Sequence, residues 1–150
     1  MSVTNNIFVL ADRYVDELAA LQPMLATQMG VPGFDGQWGA QDPAGWQDIG
    51  ALLKRTLSAI EALPPSDQHR ERLGRRVLKD HLSGRLDRIE HDLPLQDLNN
   101  IASPVQGFRE TFDLMPKVGA DDWELIASRL SSLHEAVAGY IESLSEGRRR

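Results

Sequence analysis

The sequence predicts an all-α protein, a single domain over residues 1–150 made of about five to six amphipathic helices in an antiparallel, bundle-like arrangement. Three observations point there. Apolar residues recur at steps of three and four along most of the chain, the spacing of one helix face. Prolines and several glycines fall between these runs, where they end helices. Residues suited to cap a helix stand where several runs begin.

Composition agrees with a packed core. A chain of 150 residues that is 41% apolar can bury about 70% of the surface it exposes when unfolded, which argues against disorder. The net charge of −6 works against bulk attraction to nucleic acid or to an anionic membrane surface. The chain has no cysteine, so disulfides, thiol nucleophiles and cysteine zinc sites are excluded. Met1–Asn6 lacks basic residues, and Ile7–Ala11 gives way at once to Asp12 and Arg13. That is neither a secretion signal nor a membrane span, and the expected location is the cytoplasm.

The first helix is expected from about Asn5 to Leu21, with Ile7, Ala11, Tyr14, Leu18 and Leu21 on one face. Pro23 opens a short second helix through Met29, ended by Gly30. Phe34 and Trp38 follow in a glycine-rich loop, where covering the core is favoured over contacting a ligand. Asp35-Gly36-Gln37 hints at a calcium loop, but the later oxygen ligands of that pattern are missing.

Asp42 as cap and Pro43 as first residue start a third helix with the stripe Trp46, Ile49, Leu53, Leu57 and Ile60, closed by Pro64-Pro65. A fourth runs from Ser66 or Asp67 to Pro94, with Leu73, Val77, Leu78, Leu82, Leu86 and Ile89 turned inward. Its other face carries seven basic residues, from Arg70 to Arg88, interleaved with acids and without an aromatic. That composition favours a solvated, salt-bridged face over a nucleic-acid stripe.

Leu98–Pro116 interrupts this pattern. Asn99 and Asn100 suit a turn, and Ser103-Pro104 with Gln106 forms a capping box for a short helix to Leu114, stopped by Pro116. Asp121 and Glu124 then read as a second capping box. They precede one long helix whose seam is Trp123, Ile126, Leu130, Leu133, Val137, Tyr140 and Leu144. Another helix of the chain is its simplest partner, and self-association is the alternative. Gly147 ends the helix, and Arg148–Arg150 suits the negative end of its dipole.

Catalytic patterns are weak. His134-Glu135 begins a zinc-protease helix motif, but position 138 is alanine where the second histidine must stand. Asp87 and His91 share a helix face beside Glu90, enough for a weak divalent site at best. No phosphate loop or nucleophile elbow is present.

Several separated pieces resemble the N-terminal part of a bacterial family known as domain of unknown function 885. They are Leu10–Tyr14 with Leu18, Pro23–Gly30, Asp97–Asn100 with Ser103–Gln106, Asp113–Pro116, and Asp121–Glu124 with Arg129-Leu130. The resemblance implies kinship with longer, zinc-dependent, gluzincin-like peptidases. Their histidine-glutamate zinc motif lies far downstream of any piece matched here, so no catalytic or metal residue carries over. Arg148–Arg150 reads as a truncation point or a divergent end.

The expected role is therefore a non-catalytic helical segment shaping a substrate channel, inactive alone and without its own cofactor, zinc belonging to full-length members. Asn99, Asn100 and Gln106 are the expected channel-wall polar groups. Its expected partner is the remaining C-terminal portion of a longer family protein. The alternative is a self-standing interaction or dimerisation module using the Trp123–Leu144 seam and a helical partner.

Overall fold

The computed structural model describes residues 6–150. It is all-α, with no strand among the described residues. Among the described residues there are seven α-helices: α1 (Ile7–Leu21), α2 (Pro23–Met29), α3 (Pro43–Ala62), α4 (His69–Glu90), α5 (Pro104–Leu114), α6 (Ala120–Ser131) and α7 (Leu133–Arg149). A 3-10 turn, Leu93–Leu95, lies between α4 and α5. The expected start at Asn5 lies outside the described residues. Asn6 caps α1, its side-chain oxygen accepting the Phe8 and Val9 N–H groups at 3.0 and 3.2 Å.

Helices α1, α3 and α4 form the larger core around Leu10, Tyr14, Leu18, Ile49, Leu53 and Leu82. Ion pairs give their directions. Lys54 midway along α3 meets Glu90 at the end of α4 at 2.9 Å, and Glu61 late in α3 meets Lys79 in the first half of α4 at 3.0 Å. The two helices are therefore antiparallel. Tyr14 of α1 accepts from Arg85 at 3.1 Å, and Gly74 of α4 lies against Phe8, so α1 runs parallel to α4.

The smaller core joins Trp38 from the loop, Phe108 from α5, and Ala136 and Tyr140 from α7, with Met24 and Phe112 packed against them. Trp38 is buried, as expected of a residue covering the core. Its ring meets Phe108 and Phe112 edge-on at centroid distances of 5.5 Å, a favourable arrangement for aromatic quadrupoles. Helix α7 also lies so close to the 3-10 turn that a Cβ at Gly147 would collide with the Leu95 carbonyl. Gly147 thus permits a close approach inside α7, where a helix end was expected.

Three expectations about α4 are corrected. The helix starts at His69 rather than Ser66 or Asp67, because Ser66 accepts the Gln68 N–H in a turn at 3.2 Å. It ends at Glu90, and Pro94 falls inside the 3-10 turn after Asp92 adopts left-handed angles, φ 56°. Leu73 and Val77 face water at 52% and 59% exposure. Leu78, Leu82, Leu86 and Ile89 do turn inward as expected, joined on that face by Gly74 and Arg85. Gly74 meets Ile7 and Phe8 of α1, so at the start of α4 a pattern counted in large apolar residues lands on Leu73 beside it.

The basic face of α4 is only partly a solvated salt-bridged surface. Arg75 donates to the Leu63 and Pro64 carbonyls at 3.1 and 2.6 Å, and Arg72 to Asp67 at 2.6 Å, which ties down the α3–α4 connection.

The long last helix is two helices. Ser131 and Ser132 direct their hydroxyls to carbonyls of the preceding turn, Ser128 and Arg129, and the chain breaks at Ser132. Such back-bonding competes with the helix ladder. The N-cap also differs: Asp122, not Glu124, reaches back, accepting the Val118 and Gly119 N–H groups at 2.7 and 3.1 Å. Asp121 therefore lies inside α6.

Candidate functional site

The connector from Asp97 to Ser103 is shaped by Asn99. Its side-chain oxygen accepts the N–H groups of Ile101 and Ala102 at 2.9 and 2.8 Å, an Asx turn. Gln106 accepts both the Ser103 N–H at 2.9 Å and its hydroxyl at 2.6 Å, so the expected helix start stands. Asn100 is exposed. The three polar residues singled out from the sequence thus border one short segment, and two of them spend their side chains on its backbone.

The seam residues separate. Leu133, Val137, Tyr140 and Leu144 belong to the smaller core on α7. Trp123 and Leu130 on α6 are 55% and 58% exposed, and Ile126 is half-buried. The inward position of α6 is Arg129, which is fully buried. A helix stripe read from apolar residues alone passes over it.

Arg129 organises the loop before α3. Its guanidinium donates to the Gln37 carbonyl at 2.9 and 2.6 Å, to Phe34 and Pro23 carbonyls at 3.3 Å, and to the Thr27 hydroxyl at 3.0 Å. Thr27 in turn donates to Asp35 at 2.8 Å. Burial lowers the Arg129 pKa, and the Asp35 charge partly offsets that. Asp35 therefore serves the arginine's electrostatics. The carbonyls disperse the cation's charge, the condition under which a buried guanidinium is tolerated.

A cleft of about 190 Å³ opens between α2, α3, α4 and the connector. Met24, Leu25, Trp46 and Ile89 supply apolar walls, and Gln41, Arg85, Arg88 and Asp97 supply polar groups. Arg85 is braced by Tyr14 and by Gln22, whose side-chain oxygen accepts at 2.9 Å. Burial raises the Tyr14 pKa, an effect that Arg85 opposes. Asp97 also anchors the connector, its carbonyl accepting the Tyr140 hydroxyl at 2.6 Å. No sequence motif announces this cleft, since its walls come from five separate segments.

The histidine patterns stay on the surface. His134 Nδ1 lies 3.0 Å from the Ser131 carbonyl. His91 pairs with Asp87 at 3.3 Å on an exposed face, and the Asp87 carbonyl and carboxylate raise its pKa. Among the described residues no three histidine, aspartate or glutamate side chains gather to hold a metal. No helix among them is long and apolar enough to cross a membrane.

The chain belongs to a family of bacterial proteins of unknown function, DUF885, matched over residues 23–150. The Leu10–Tyr14 and Leu18 piece precedes the matched span, and the later pieces fall within it. A search of the curated proteins found no match.

Proposed function

We propose that this chain is a non-catalytic helical segment of a metallopeptidase-like cytoplasmic protein, forming part of a substrate-channel wall without a zinc site of its own. The supporting observation is a series of exposed apolar residues along the connector, α5 and α6. Leu98, Ile101, Val105, Leu114, Val118 and Trp123 are each more than half exposed, a concentration typical of surfaces that another protein portion covers. The occupant is a further portion of a longer family polypeptide, which brings the zinc chemistry. Asn99, Asn100 and Gln106 are the polar groups of that wall.

Metal analysis and a peptidase screen of the 150-residue chain test this reading. The expected result is neither bound zinc nor hydrolysis. Stoichiometric zinc together with hydrolysis would sink it.

A second reading rests on α6 alone, where Trp123, Leu125 and Leu130 are all exposed. There the chain is a self-standing module that pairs through this helix. Light scattering separates the two: a dimer that dissociates on Trp123→Ala and Leu130→Ala supports the module, and a monomer supports the channel segment.

A further inference from the structure

Gln41 is 6% exposed, and its backbone carbonyl accepts the Ser143 hydroxyl at 2.7 Å, yet its side-chain amide has no partner among the described residues. Every fully buried side-chain polar atom described here does have a partner. The amide therefore opens on accessible space. Gln41 borders two hollows, and the one between α2, α3 and α4 carries cations while the one beside Trp38 and Gly139 does not.

Arg85 is held by Tyr14 and Gln22, but two other charged groups of the cleft are under-used. Arg88 makes no ion pair or hydrogen bond among the described residues, and the Asp97 carboxylate meets only the Asn99 amide, at 3.5 Å. Arg85 and Arg88 stand on α4, Asp97 on the connector, and the opposite charges line one space without pairing with each other. Met24, Leu25 and Trp46 complete the lining with apolar surface.

We propose that this cleft binds a free apolar α-amino acid. Its carboxylate lies against Arg85 and Arg88 with the Gln41 amide donating, its ammonium faces Asp97, and its side chain packs on Met24, Leu25 and Trp46. A simple anion would meet repulsion from Asp97, and a simple cation repulsion from the arginines. A zwitterion satisfies both. The volume of about 190 Å³ suits one amino acid and excludes a folded partner. The proposal does not rest on the channel-wall reading, although Asp97 and Pro104 of the cleft adjoin Leu98 and Val105 of the exposed surface.

Titration of the 150-residue chain with L-leucine and L-phenylalanine, followed by Trp46 fluorescence and calorimetry, tests the proposal. Trp46→Phe identifies the reporting tryptophan. Binding is expected to weaken about tenfold or more in Arg88→Gln and in Asp97→Asn, and likewise for the N-acetylated and the amidated amino acids. Both side chains reach solvent, so these variants keep the fold, which helical circular dichroism verifies. No saturable binding at millimolar concentration overturns the proposal. So does binding that is indifferent to Arg88→Gln and Asp97→Asn, or equal affinity for the N-acetylated compound.

Discussion

Trp38 and Arg129 hold each other at two points. The Trp38 indole N–H donates to the Arg129 carbonyl at 2.7 Å, while the Arg129 guanidinium carbon lies 5.2 Å from the centre of the Trp38 ring. One pair thereby joins the loop before α3 to α6 and seats the tryptophan in the smaller core.

Arg129→Ala is expected to cost about 3 kcal/mol or more, since it strands the buried Pro23 carbonyl and the part-buried Phe34 and Gln37 carbonyls together. Arg129→Lys is expected to recover little, because a lysine lacks the planar fork that reaches several carbonyls. Denaturant unfolding followed by tryptophan fluorescence measures both. A loss below about 0.5 kcal/mol for Arg129→Ala would mean that the loop holds its shape unaided.

The inward face of α4 is tested by contrast. Leu82, fully buried, is expected to cost about 2 to 5 kcal/mol when changed to alanine. Leu73→Ala, at an exposed position, is expected to change stability by less than about 0.5 kcal/mol. Equal losses at the two positions would restore the face first read from the sequence.

Helix boundaries set by adjacent residues are the most legible features of the chain. Pro23 with Gly30, Asp42 with Pro43, and Ser103 with Gln106 each decide a boundary through neighbouring residues. What stayed hidden depends on partners far away. Arg129 bonds to residues 92 to 106 positions earlier, and a charged inward residue has no place in an apolar pattern. Gly74 hid the true face of α4 for the converse reason, being small where a neighbour presses close. The break at Ser132 escaped notice because the three- and four-residue spacing continues across it. The cleft leaves no trace at all in local sequence, since no two of its walls adjoin in a motif.

Both tyrosines, Tyr14 and Tyr140, are raised above the ordinary value of 10.0, chiefly by burial. The folded state therefore favours the neutral phenols. Their contribution is fully present below the unfolded value and is lost as pH rises through the raised native values. These are the only tyrosines in the chain. Tyrosinate absorbance of the native protein is thus expected to rise entirely at higher pH than that of the denatured chain. Coincident titrations would contradict the burial of both hydroxyls.

Ser103→Ala removes a hydroxyl that donates to Gln106 while leaving the Ser103 N–H bonded to the same oxygen. The expected cost is about 1 kcal/mol. Gln106→Ala removes both bonds and is expected to cost more, and thermal melting ranks the two. The reverse order would place the weight of this cap on the serine.

The reach of Arg129 also fixes an order of events during synthesis. The loop that contains Phe34 and Trp38 emerges from the ribosome long before the side chain that gathers its carbonyls. Until α6 has been made, that loop has no counter-charge acceptor role to fill and no anchor for its indole. The α1–α3–α4 core contains none of these late residues and can assemble first. The contacts of the second layer thus cannot be completed before residue 129 has been made.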